Sequence, residues 1–465
     1  MDLTAHATTA KSGQRFAQLD GLRGLLCVGV IAINMDLYNA GANTPVGVFL
    51  VLSGFTAFIA YNDREWDDRS RTDFFLRRLV RLLPMMVVST SCQLCAAALW
   101  LFRRGVVIPW TECANGFSTM CSTGGFFNFG VTLLALLCML AGGGVLCRGT
   151  VCGCWGCCRL DRWPRPTCCA LLPLVCGTYL TGTGWYVGVL LILNAHFLPK
   201  LLTEHGEGWR STPPSWMNLL FWASLEALQF AWPYVAFQIA RSVHPLGVAQ
   251  DIWYVWTLYI YLGFPPLYRV VTFVFGMQLG RWALFESAKP RPAESRWLDE
   301  SKTGLPVLVT ALVVASLHGF LQHESEMHRP STGATPIQWL AIHLIHPFNV
   351  LALVCGLVAA PRSLVARVLA SPPLVMLGDL SYAMYLLQVA VITAYTFAFD
   401  KKWGGEFETL QASPTADVLD ATDYALVVVL CAALAYPVTR WVEPRVAAWL
   451  EGRVRLTSQP PFESL

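Results

Sequence analysis

The chain has 465 residues, 55% of them hydrophobic and 14% charged, with a formal net charge of +3. A soluble domain carries roughly 25% charged residues, so this composition excludes an ordinary soluble enzyme and indicates a polytopic membrane protein surrounded by membrane lipids. The basic residues lie in groups beside apolar segments and form no single field, which excludes nucleic acid as a partner.

Residues 1–17 are polar and read as a cytosolic N-terminal tail, with Lys11 and Arg15 next to the first span. No small-residue cleavage site follows the first apolar segment, so it reads as a retained span and not a signal peptide. Apolar segments recur at roughly 22–40, 45–61, 79–102, 126–147, 168–197, 215–240, 252–284, 303–320, 336–360, 376–399 and 423–440. Pro265-Pro266 breaks the seventh into two short spans or a re-entrant pair. The expected fold is all-α, a transmembrane helical bundle of about ten to twelve spans over residues 18–450, followed by a C-terminal tail at 451–465.

Arginines concentrate in the linkers 62–78, 148–167, 285–302 and 361–375 and in the tail after Arg440. That bias puts these segments, and both termini, in the cytosol. Localisation is thus expected to be multi-pass in a membrane. No linker is long enough for a soluble domain. The halves of the chain show no self-similarity, which weighs against a transporter built from inverted repeats.

Sixteen cysteines in a chain of this length do not make a disulfide scaffold. Cys27, Cys92, Cys95, Cys138 and Cys431 lie inside spans and read as small buried hydrophobes. A Cys-rich cytosolic loop at 147–169 holds the pair Cys154 and Cys157, but no second pair follows at zinc-site spacing, and no metal is expected. S-palmitoylation and unmodified interfacial thiols are the readings left for it.

Several polar residues interrupt apolar surroundings. Asp20 and Arg23 open the first span in LDGLRG; Arg23 and Asn34, eleven residues apart, project from nearly the same helix face with roughly 16 Å of rise between them. Ser53 and Gly54 lie in VFLVLSGFTAF, where Gly54 allows close approach of a helix or an acyl chain. Arg78 and Arg81 share a face in FFLRRLVRLLP, and either anchor a span end or bind phosphates. His343 and His346 lie one turn apart in AIHLIHPFNV; intramembrane histidines are functional candidates, or are satisfied by neighbouring backbone. His318, His323 and His328 flank a polar loop, which reads as solvated, or else as binding a metal or lining an acceptor site.

LDGLRG, SGF, the Arg-x-x-Arg of Arg78 and Arg81, and LGDLSYAMYLLQ together resemble the acyltransferase-3 family of integral membrane acyltransferases. Looser matches occur in PPLYRVVTFVFGMQLGR, WASLEALQF and the closing WVEPR, so the resemblance covers most of the chain in the family's order. It implies an acyltransferase, transferring groups other than amino-acyl groups, with acyl-CoA as donor and a carbohydrate or lipid hydroxyl as acceptor. Arg23, Arg78 and Arg81, with Ser53 and Gly54, would meet the donor. The chain departs from the family at its proton-handling positions: Asn34 and Gln388 stand where the family has His, Thr272 where it has Glu, and Glu226 falls one place early. An amide cannot act as a base near neutral pH, so Asn34 is expected only to hydrogen-bond near the thioester, with His343 or His346 supplying the base. A catalytically silent relative that binds acyl-CoA, lipid or a partner is the alternative, and a transporter a third.

Overall fold

The computed structural model describes residues 15–35, 43–62, 66, 68–104, 133, 189–191, 193–243, 269–288, 336–401 and 419–454. In chain order its helices are α1 (Ala17–Asn34), α2 (Asn43–Tyr61), α3 (Asp68–Arg104), α4 (Leu198–Ser211), α5 (Trp216–Val243) and α6 (Arg269–Ala288). They continue with α7 (Pro336–Ala359), α8 (Leu364–Leu369), α9 (Pro372–Phe399), α10 (Ala421–Pro437) and α11 (Glu443–Val454). Single π-helical turns at Leu193–Phe197 and Val438–Val442 lead into α4 and α11. All regular structure among the described residues is helical, as expected. Two of these helices, α9 and the continuous run Ala421–Trp449, are long and apolar enough to cross a membrane.

The expected apolar segments coincide with α2, α5, α7 and α9 to within a few residues, whereas α1 starts five residues before its expected segment. By contrast, α3 begins at Asp68, well inside the expected linker 62–78. Arg and Leu are good helix formers, so the helix starts through the arginines and only later becomes apolar. Two short helices also occupy linker positions. One is α4, with Pro199 in its first turn; the other is α8, capped by Ser363, whose Oγ accepts the Ala366 N–H at 3.2 Å. Nearly all of 126–147, most of 168–197, the 303–320 segment, Pro265-Pro266, the Cys-rich loop and His318, His323 and His328 lie outside the described residues.

Two parallel helix pairs form the centre, and glycine sets both. In the α1–α9 pair, a Cβ on Gly24 would meet the Gly378 nitrogen and the Leu374 carbonyl oxygen at 2.7 Å, and one on Gly378 would overlap the Asp20 carbonyl. Further along, the Cys27 thiol donates to the Ser381 carbonyl at 3.3 Å. Both contacts keep one register: residue n of α1 lies level with n + 354 of α9. In the α2–α6 pair, Gly54 lies against the Phe273 carbonyl, Gly276 against that of Val51 and Gly280 against that of Phe55. Small residues let backbones approach closely, so van der Waals contact holds these pairs without any need for water to be expelled. The largest fully buried side chains, Phe55, Phe58, Phe74, Phe273 and Phe275, fill the space around the second pair.

Helix ends are closed by specific polar groups. Asp400 ends α9 in the left-handed region (φ 50°), a conformation that Asp tolerates better than most residues. Asp420 opens α10 with a capping box completed by Asp423. Asp423 also accepts the Tyr395 hydroxyl at 2.6 Å and pairs with Lys401 at 3.4 Å, tying α9 to α10. Elsewhere on α10, Leu426, Val429, Leu430 and Leu434 are exposed. Cys27 and Cys431 are buried, whereas Cys92 and Cys95 are exposed on α3.

Candidate functional site

One end of the bundle gathers the arginines. Asp20, in the first turn of α1, accepts from Arg15 Nε at 2.8 Å and lies 3.9 Å from Arg23 Nη1. Arg15 also reaches Asp379 at 3.0 Å, joining the start of α1 to the start of α9. The hydrogen bond from Arg15 to Asp20 raises the Arg15 pKa above its ordinary value. Gly21 and Gly24 of the same motif lie against the backbones of Leu369 and Leu374. LDGLRG is therefore a docking element in which glycines admit α9 and α8, and Asp20 organises the flanking arginines.

Next to it, the end of α2 and the start of α3 build an aromatic seat. Tyr61 and Phe74 meet edge to face at 4.7 Å, and Trp66 meets Phe74 at 5.2 Å. The Arg78 guanidinium lies over both the Tyr61 and Phe74 rings, at 5.4 and 5.6 Å, a cation–π arrangement. Arg77 Nε and Arg78 Nε are buried without a hydrogen-bond partner. Arg81, one turn on, is 67% exposed and stands 3.7 Å from Glu443 of α11. The Arg-x-x-Arg pair thus splits its tasks: Arg78 is held by rings, and Arg81 faces outward beside the carboxylate of the closing WVEPR.

Ser53 donates to the Phe49 carbonyl one turn back at 2.7 Å, and Gly54 is filled by the α6 backbone. Both are engaged within the helix core at the α2–α6 crossing.

The inner polar positions come from four helices. Asn34 is the last residue of α1, and the α1–α9 register places it level with Gln388. The two positions at which the family carries His are therefore neighbours in depth on adjacent helices. The side chains of Asn34 and His343 lie outside the described part. Gln388 is fully buried, and neither Oε1 nor Nε2 has a hydrogen-bond partner. His346 is buried on α7 directly before Pro347, whose ring removes the N–H that would bond the carbonyl of residue 343.

In the sequence Glu226 and Thr272 are two separate departures from the family pattern, and neither is read there as a site residue. The fold brings them together. Thr272 Oγ1 donates to Glu226 Oε1 at 2.7 Å, and Gln229 Nε2 donates to Thr272 Oγ1 at 2.8 Å. Glu226 and Thr272 are buried, with Arg269 buried one turn before Thr272. A buried carboxylate between two helices was visible in the sequence only as a spacing anomaly. Among the described residues, no group of three His, Cys, Asp or Glu side chains converges to hold a metal.

A family model described as "Acyltransferase domain" matches residues 16–440, nearly the whole chain. The chain belongs to the acyltransferase-3 family. No curated protein and no solved structure matches it significantly. For this member of the family, the arginine end and the inner polar positions are two places, among the described residues, where polar side chains gather.

Proposed function

We propose that this chain is a multi-pass integral membrane acyltransferase that takes acyl-CoA at its cytosolic end and passes the acyl group to a hydroxyl of a carbohydrate or lipid. The observation that carries this reading is Arg78. A guanidinium held over two rings, with a buried Nε that lacks a partner, is prepared for a polyanionic ligand bearing a flat base, and the family assignment supplies the reaction class. Arg77 precedes it in α3 and Arg81 follows one turn on, and with Arg23 at the start of α1 they supply positive charge that phosphates complement. The outward apolar face of α10 supports a lipid environment. Tyr436, Trp441 and Trp449, exposed beside Arg440 and Arg445, support an interfacial belt at the arginine end.

The test is transfer of radiolabel from acetyl-CoA and from longer acyl-CoAs into membrane glycans and lipids. Purified protein is compared with Arg78→Ala. Charge-assisted hydrogen bonds contribute about 1.5–3 kcal/mol, so the variant should lose roughly 10- to 150-fold in donor affinity. Incorporation that is unaffected by Arg78→Ala refutes the donor site.

The substitutions at 34, 272 and 388 favour a second reading, a silent relative that binds acyl-CoA without transferring it. Gln388, buried with both amide atoms unbonded, is the observation behind it. Label that binds without being incorporated supports this reading, as does transfer gained by Asn34→His.

A further inference from the structure

The hydrogen bonds at the α5–α6 contact run in one direction and end on a carboxylate. Gln229 donates to Thr272, and Thr272 spends its only hydroxyl hydrogen on Glu226 Oε1. Two oxygens are left over, Glu226 Oε2 and Gln229 Oε1, both buried and without a hydrogen-bond partner. Glu226 is only 1% exposed. Leaving a buried acceptor unmet costs about 1–3 kcal/mol, and more when it is charged, so a contact serving only to hold two helices would not need this carboxylate. The unmet capacity is purely accepting. It fits a group that donates, such as a hydroxyl.

Position and depth agree with that. The resembled family has a Glu where this chain has Thr272, and the Thr272 hydroxyl is bonded to Glu226, so a carboxylate reaches the same place from the facing helix. The α2–α6 register, with Gly276 on Val51, sets Glu286 level with Tyr61 at the arginine end. Thr272 lies fourteen residues before Glu286, about 21 Å deeper at 1.5 Å per residue. A pantetheine arm running inward from phosphates at Arg78 covers a distance of that order.

We propose that Glu226, Thr272 and Gln229 form the subsite for the acceptor's hydroxyl, with Glu226 Oε2 as the base that this chain otherwise lacks at position 34. This rests on the acyltransferase reading above. The hydroxyl oxygen bonds to the acyl carbonyl carbon as its proton passes to Glu226 Oε2. The C–S bond then breaks with its electron pair on sulfur, and the proton returns from Glu226 to the CoA thiolate. Thr272 and Gln229 are positioning residues that fix the other carboxylate oxygen.

The experiment uses the full chain in membranes with radiolabelled acetyl-CoA and palmitoyl-CoA. It scores kcat for transfer into glycan and lipid fractions, and donor binding to the purified protein. General bases contribute about 10²–10⁴-fold. Glu226→Gln should therefore lower kcat at least 100-fold while binding labelled donor as wild type does, and Met217→Ala, an exposed change on the same helix, should leave kcat unaltered. Dicyclohexylcarbodiimide on the wild-type chain requires no folded variant. Modification mapped to the Glu226 peptide should rise in step with loss of transfer while donor binding persists. Transfer that survives either Glu226→Gln or complete modification of Glu226 overturns the subsite but leaves the acyltransferase reading standing. Loss of donor binding together with transfer in Glu226→Gln, with no modification of Glu226 in wild type, assigns the carboxylate to structure and also overturns it. A wild-type chain that transfers neither label overturns both.

Discussion

Gly24→Ala tests the physical meaning of the LDGLRG motif without touching a charged group. A Cβ at Gly24 meets the Gly378 nitrogen and the Leu374 carbonyl oxygen at 2.7 Å and the Leu377 Cβ at 2.8 Å, whereas ordinary contact begins at 3.4 Å. The pair must therefore open by about 0.7 Å at its closest point, and because two of the three atoms are backbone, no rotamer change relieves the overlap. Gly29, five residues on in the same helix, has nothing within 4 Å of its added Cβ. Ala should gain about 1 kcal/mol in helix propensity at either site, so that gain cancels between the two variants. Overpacking costs about 1–3 kcal/mol, and Gly24→Ala should be less stable than Gly29→Ala by that amount. Unfolding by SDS titration of the micelle-solubilised chain, followed by tryptophan fluorescence, measures the difference. Equal midpoints for the two variants would refute the account in which small residues, and not side-chain packing, join α1 to α9.

Other outcomes follow from single side chains. Gln388→Leu removes two buried unsatisfied atoms for little change in volume, so it should raise the unfolding free energy from the SDS titration by about 1 kcal/mol; a drop in stability would mean that the amide has a partner within the fold. Asp423→Asn loses the charge beside Lys401 and one of two acceptors, with an expected cost of about 1–3 kcal/mol by the same titration. Asp420→Asn keeps an equally good helix cap and should stay within about 0.5 kcal/mol of wild type, which separates the tie between helices from the cap itself.

The helical character of the described segments was legible because apolar length survives in any reading of the chain. The starts of α3, α4 and α8 were not, because a helix begins where backbone hydrogen bonding can begin, which need not be where the chain turns apolar. At the site, Arg78 and Arg81 could be singled out by spacing, but the rings of Tyr61 and Phe74 that separate their tasks lie on either side of a helix break. Glu226 and Thr272 are 46 residues apart and looked like two unrelated departures from a pattern. A hydrogen bond across two helices is a tertiary fact, and no periodicity within one helix encodes it. The level placement of Asn34 and Gln388 was hidden for the same reason, since a register between distant helices is set by glycine contacts elsewhere along them.

The parallel α1–α9 pair also bears on how the chain is made. Arg15 and Asp379 are 364 residues apart in sequence, and Gly24 has no Gly378 to meet until just over four fifths of the chain exists. At roughly 5–20 residues per second, the ribosome supplies the partner about 20–70 s after the first helix emerges. During that interval α1 holds a bare glycine face and two arginines flanking one aspartate. A chain that stops before α9 would leave its opening helix permanently unmatched, so early termination at any point in the first 371 residues should yield a product for membrane quality control to clear, however many complete helices it contains.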